Sequence, residues 1–115
     1  MIRLTPYGGL VSKEFPWLTI LLAEGSLDIL EFLKKNKMGQ FKDLAKLENK
    51  RTKRTFSPNT VSARLNELMD MNALTSIPVK TQRKRVLAYQ ISEKGLQILD
   101  AAYVFEEKLD HMVKK

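Results

Sequence analysis

At 115 residues, 43% of them apolar and 29% charged, the chain has the size of a single globular domain with one modest core, too small for a catalytic domain joined to a regulator. It has no cysteine and one histidine, His111; disulfides, thiolate metal sites and any motif built on two histidines are excluded, and a non-enzyme without metal or cofactor is expected. The net charge of +7 is carried entirely by residues 49–85, where nine cations face two anions, while the other 78 residues hold eleven of each sign; such confinement suits a polyanion-binding surface better than a basic face kept for solubility.

The longest apolar run, Trp17 to Ala23, falls far short of the roughly 18 residues a membrane span needs. The first residues, Met1-Ile2-Arg3-Leu4-Thr5-Pro6, lack the order of a secretory signal, so a cytoplasmic location is expected. Residues 1–16 have two prolines and little periodicity and read as an extended arm. Trp17 to Ala23 is apolar all round, and over so short a run periodicity leaves helix and strand both open. Ser26 is placed to cap a helix over Leu27 to Lys35, whose Leu27, Ile29, Leu30 and Leu33 share one side. A short helix over Gln40 to Leu47 is expected to bury Phe41, Leu44, Ala45 and Leu47.

The best-signalled element follows a basic link, Asn49 to Thr55. Ser57 is an N-cap, Pro58 stands at the first helical position, and Phe56 with Val61 forms a hydrophobic staple. Val61, Leu65, Leu68 and Met69 make the core stripe at 100° per residue. Asn59, Ala63, Asn66, Glu67 and Asp70 are expected on the opposite, solvated face, with Thr60 and Arg64 on one flank and Ser62 on the other. Two β-prone stretches, Leu74 to Ile77 and Val86 to Ile91, enclose the cationic tip Pro78 to Arg85 and predict a hairpin. Ser92 then caps a long helix from Glu93 to about Val113, with Glu93 in its first turn and Lys114-Lys115 at its end.

Helix, short helix, capped helix and basic hairpin is the order of a winged helix-turn-helix. The stretch from Phe41 to Gly95 resembles the winged-helix transcriptional regulators of the MarR and HxlR type. The resemblance rests on Phe41-Lys42-Asp43-Leu44, on Ser57-Pro58-Asn59-Thr60-Val61-Ser62-Ala63-Arg64-Leu65-Asn66-Glu67-Leu68, on the short link Asn72-Ala73-Leu74, and on the ending Ile91-Ser92-Glu93-Lys94-Gly95. Two departures stand out: Ala73 replaces the glycine usual in the family, and the link before the capped helix is long and basic. The family's cysteine near the first helix is also absent, so thiol-based sensing does not carry over. The implied fold is mainly α with a small β-hairpin (α+β). It is a single domain over 1–115, with an N-terminal arm and apolar segment over 1–25, a winged-helix core over 26–91 and a C-terminal dimerisation helix over 92–115.

On this reading helix 57–70 enters the major groove of double-stranded DNA. Asn59, Thr60, Ser62, Ala63 and Arg64 are the candidate base readers, because amide, hydroxyl, methyl and guanidinium groups match distinct base edges. Lys50, Arg51, Lys53, Arg54 and Ser57 before the helix, and Lys80, Arg83, Lys84 and Arg85 in wing 78–86, are the candidate contacts to the backbone, with one wing side chain reaching the minor groove. Glu67 and Asp70 would repel phosphates and confine docking to the first two turns, and the alternative for Arg64 is to pair with Glu67 or a neighbouring acid. Along the C-terminal helix Ile98, Ala102, Phe105, Leu109 and Met112 are spaced as a coiled-coil seam. With Trp17 and Leu21 they are the candidate homodimer interface, against the alternative that the seam packs on Trp17 to Leu22 of its own chain. His111 reads as an ordinary helix-end residue. The resemblance also leaves room for a small-molecule effector between the dimer helices and the core, to which no residue points. The leading expectation is a homodimeric, sequence-specific DNA-binding transcriptional regulator. The alternatives are a winged-helix protein-interaction module in a transcription or replication assembly, and a non-specific chromatin-like DNA-binding protein.

Overall fold

A computed structural model describes residues 2–4, 10–12, 14–81 and 83–114, the first two stretches as backbone alone. Residues 5–9 of the expected arm, Gln82 in the wing tip and Lys115 lie outside the described residues. Strands β1 (Ile2–Leu4) and β2 (Leu10–Ser12) pair antiparallel with Ile2 opposite Ser12, so the expected extended arm is folded back on itself. Pro16 stands at the start of α1 (Pro16–Leu21), where its missing N–H is harmless and its fixed φ suits a helix. The apolar run is therefore a helix, and its Ile20 and Leu21 are buried.

The turn Glu24-Gly25 leads into α2 (Ser26–Asn36), and Gly25 has φ 92°, a left-handed conformation that favours glycine. Here the expected N-cap is corrected. Ser26 lies inside the helix, fully buried, and its hydroxyl donates to the Ile20 carbonyl at 2.7 Å instead of accepting from a first-turn N–H, so Gly25 stands at the N-cap. Ile29, Leu30 and Leu33 fill the core side of α2.

The second short helix is shorter than expected. Gly39–Gln40 form strand β3, antiparallel to a later strand, and α3 (Phe41–Leu44) covers one turn. The Asp43 carboxylate accepts from the Gln40 N–H at 2.9 Å. Leu44 is fully buried but Phe41, expected in the core, is exposed. It sits on the outer side of a helix only one turn long, which can present a single residue face inward. Leu47 and Glu48 then pair with the returning chain: Phe56 N–H donates to the Leu47 carbonyl, and Glu48 bridges Thr55.

Helix α4 (Pro58–Asp70) begins as its sequence dictates, with the Ser57 hydroxyl accepting from the Thr60 N–H at 3.1 Å and Pro58 in the first turn. Phe56 and Val61 are both buried in the core with Leu65 and Leu68. The helix ends in a Schellman motif: Asn72 N–H donates to Met69 and Ala73 N–H to Leu68, both at 2.9 Å. The left-handed position is Asn72, with φ 61°. Asparagine tolerates that region, so Ala73 serves where the resembling family has glycine.

Strands β4 (Leu74–Lys80) and β5 (Arg85–Ile91) form the wing, with Leu74 opposite Ile91 and Lys80 opposite Arg85, and β3 completes the sheet in the order β3-β5-β4. Both strands reach further into the basic stretch than the pattern predicts, leaving only 81–84 as the tip. Pro78 is accommodated because β4 is an edge strand. Helix α5 (Glu93–Val113) spans the range expected. Ser92 accepts from the Gly95 N–H at 2.9 Å and donates to the Asn72 carbonyl at 2.6 Å. A Cβ on Gly95 would lie 2.1 Å from the Ala73 carbonyl oxygen, so glycine lets the start of α5 close onto the end of α4. The core cluster joins α1, α2, α3, α4, β4 and α5 through Leu21, Leu30, Leu33, Leu44, Leu65, Leu68, Leu74 and Leu99. Each fully buried leucine contributes about 1.5–3 kcal/mol.

Candidate nucleic-acid interface

Cap chemistry fixes where α4 begins and so which side chains occupy its first turns. Ser57, Pro58, Asn59 and Ser62 are exposed, while Thr60, Ala63 and Asn66 are half-buried. The Thr60 hydroxyl is engaged as acceptor of the Ser57 O–H at 2.9 Å. Asn59 and Ser62 are thus the most accessible polar groups on the first two turns, with the half-buried Ala63 beside Asn59 on the helix surface.

Arg64 takes its alternative role, pairing with Glu67, and is not free to read bases. Glu67, expected on the solvated face, is buried, and Arg64 Nε lies 2.6 Å from its Oε1 with side chains 14% and 4% exposed. The guanidinium turns inward, its Nη1 3.5 Å from the Glu24 carbonyl. The helical angles hold the signal for this. Arg64 lies only 60° from Val61 on the wheel and Glu67 shares its flank, and their i, i+3 spacing lets the two charges pair. Burial in company replaces exposure alone.

The basic link is an ordered turn. Asn49 N–H donates to the Arg54 carbonyl and Lys53 N–H to the Asn49 carbonyl, each at 2.8 Å. The Asn49 side chain accepts from the Arg51 N–H at 2.9 Å, and Lys53 takes φ 63°. This geometry displays Arg51, Lys53 and Arg54 in solvent immediately before α4. Lys50 is also exposed but reaches Glu31 of α2 at 4.0 Å. At the wing tip both the N–H and the hydroxyl of Thr81 donate to the Lys84 carbonyl, at 2.9 and 2.8 Å. The turn is held by Thr81 and backbone, leaving the Lys80, Arg83, Lys84 and Arg85 side chains exposed. Among the described residues none of these four, nor Arg51, Lys53 or Arg54, forms an ion pair. Seven uncompensated cations on two turns raise the local positive potential without any structural task to hold them.

The expected dimer residues divide. Leu21 is buried inside its own chain and is withdrawn from the interface, since little of its surface remains for a partner. Ile98 and Ala102 pack partly on the core. Phe105, Leu109 and Met112 stay exposed, at 43%, 38% and 61%, as does Trp17 at 58%. A groove of about 280 Å³ between α1, α2 and α5 is lined by Leu18, Leu22, Leu27, Ala102, Phe105 and Leu109, among others. A contact that sequence reasoning missed braces this region: Tyr103 donates to Glu31 at 2.8 Å beneath Lys34, whose Nζ lies 5.4 Å from the ring centroid. The Glu31 hydrogen bond, then burial and the carboxylate's charge, raise the Tyr103 hydroxyl above its ordinary pKa. No helix among the described residues is long and apolar enough to cross a membrane.

No protein-family model and no curated protein sequence matches the chain. Solved structures do. A transcriptional regulator assigned to the MarR family in Enterococcus faecalis superposes with a TM-score of 0.65 at 12% identity, over 84% of this chain and 82% of that one. A PadR-family transcriptional regulator from Eggerthella lenta gives 0.62 at 18% identity, over 84% and 85%. A PadR-family transcription regulator from Clostridium difficile gives 0.60 at 18%, over 79% and 98%. With a helix, a capped helix, a paired wing and a long terminal helix of its own, and superposing over most of its length on these MarR- and PadR-family structures, the chain has the winged helix-turn-helix fold.

Proposed function

We propose that the chain is a homodimeric transcriptional regulator of the cytoplasm that binds double-stranded DNA sequence-specifically. The observation that carries this reading is a capped α4, open at Asn59 and Ser62, flanked in sequence by two exposed turns on which seven cations form no ion pair among the described residues. Asn59 is the candidate reader of an adenine edge, Ser62 and Thr60 of donor or acceptor edges, and Ala63 of a thymine methyl. Arg51, Lys53 and Arg54, with Lys50 and Ser57, contact phosphates on one side, and Lys80, Arg83, Lys84 and Arg85 on the other. The partner is a second copy. Ile98, Ala102, Phe105, Leu109 and Met112, on a helix about 30 Å long that runs past its own core, offer an apolar surface together with Trp17 of α1.

Sedimentation equilibrium of the chain with and without duplex tests the assembly. Two chains in solution and two per bound duplex are expected, and Phe105→Glu with Leu109→Glu should give a folded monomer with weakened binding. A wild-type chain that stays monomeric at micromolar concentration contradicts the dimer. A monomeric double variant that binds as tightly as the wild type contradicts its role in DNA binding.

A further inference from the structure

We infer that Arg64 and Glu67 form a clasp that positions α4 against the turn between α1 and α2, so that Arg64 acts on DNA as a positioning residue and not by touching it. This rests on the DNA-binding reading above and assigns Arg64 a different part in it. Four observations meet at one place. The ion pair is short, with Nε 2.6 Å from Oε1, and both side chains are withdrawn from solvent. Nη1 points to the Glu24 carbonyl at 3.5 Å, forty residues away in sequence. The Arg64 stem covers Gly25: a Cβ there would lie 3.5 Å from Arg64 Cγ and 3.8 Å from the Phe56 ring. The turn itself is anchored, because the first residue of α2, Ser26, donates to the Ile20 carbonyl of α1 at 2.7 Å.

A buried carboxylate keeps its charge at tolerable cost only while a cation pairs with it. Were Arg64 to swing out to a base or phosphate, Glu67 would be stranded under the helix. Arg64 is therefore committed to the clasp, and the pitch of α4 in the groove follows the α1–α2 turn.

The test uses a duplex selected from a random pool by the wild-type chain, and the same duplex scrambled, with Arg64→Met, Glu67→Met and the double variant. Glu67 is buried and cannot reach DNA, so its loss reports position alone. Each single variant should lower the affinity ratio of selected to scrambled duplex about tenfold or more, with the salt dependence unchanged, and the double variant should lower it no further. If Arg64→Met instead reduces the salt slope by about 0.9 per subunit, or erases preference at a single base pair while Glu67→Met binds as wild type, the inference fails. A fall in melting temperature with an unchanged affinity ratio, the signature of a purely structural pair, also overturns it. The double variant removes both charges together and so strands neither; should a single variant not fold, a lowered ratio in the double supports the clasp and a wild-type ratio rejects it. A wild-type chain that retains no duplex removes the DNA-binding reading and this inference together, whereas wild-type binding with an unaffected Glu67→Met variant removes the clasp alone.

Discussion

Neutralising the wing tip, with Arg83, Lys84 and Arg85 each changed to Gln, separates the electrostatic part of binding from base reading. The tip is held by the Lys84 carbonyl accepting twice from Thr81 and by the Lys80 to Arg85 pairing, none of which uses the three altered side chains. All three are exposed, so folding stability should change by no more than about 0.5 kcal/mol. Each phosphate contact contributes about 0.9 to the slope of log affinity against log salt. Three cations in each of two subunits set an upper bound of about six contacts and a slope change of about 5. Between about 50 and 200 mM salt, a span of roughly 0.6 log units, the wild type would then lose up to about a thousandfold more affinity than the variant. If half the contacts form, the difference is about fortyfold. Fluorescence anisotropy titrations across a salt series measure this directly. The selected and scrambled duplexes should weaken in parallel. An unchanged slope, or a loss confined to one sequence, would refute the assignment of the wing to the DNA backbone.

Two further substitutions probe the frame behind that surface. Gly95→Ala places a Cβ 2.1 Å from the Ala73 carbonyl oxygen; the resulting overpacking should destabilise the chain by about 2 kcal/mol and lower the thermal midpoint by about 10 °C, whereas helix propensity alone would have alanine raise it. Spectrophotometric titration should find one tyrosine ionising above the usual 10.0 and absent in Tyr103→Phe. Because its folded pKa is raised, the contact stabilises fully below pH 10 and is lost as pH rises through the folded value, where phenolate would face the Glu31 carboxylate. A wild-type titration indistinguishable from that of the variant apart from one ordinary tyrosine would contradict the contact.

Much of the frame is legible in the residues because its signals are local. Ser57-Pro58 begins α4 and Ser92 with Gly95 begins α5 through hydrogen bonds spanning three residues, and both helices start where the sequence places them. The cationic link and tip are legible as charge, though their turn geometry is not. What escapes is decided by partners far along the chain. Ser26 looks like a cap until the Ile20 carbonyl claims its hydroxyl. Gln40 looks like the first residue of a helix until β5 offers Gly39-Gln40 a ladder edge. The pairing of Arg64 with Glu67 is legible as an alternative, but its burial is not, because the Glu24 carbonyl that the guanidinium approaches lies forty residues away in sequence.

The most direct measurement is selection of bound sequences from a random duplex pool by the wild-type chain at physiological salt. A dimer reading DNA through two copies of α4 should enrich an inverted repeat whose half-sites lie about one helical turn apart, roughly 10 bp centre to centre. Strong retention with no enriched sequence would contradict base reading and leave a packing protein, and no retention at all would contradict DNA binding and leave a protein-interaction module.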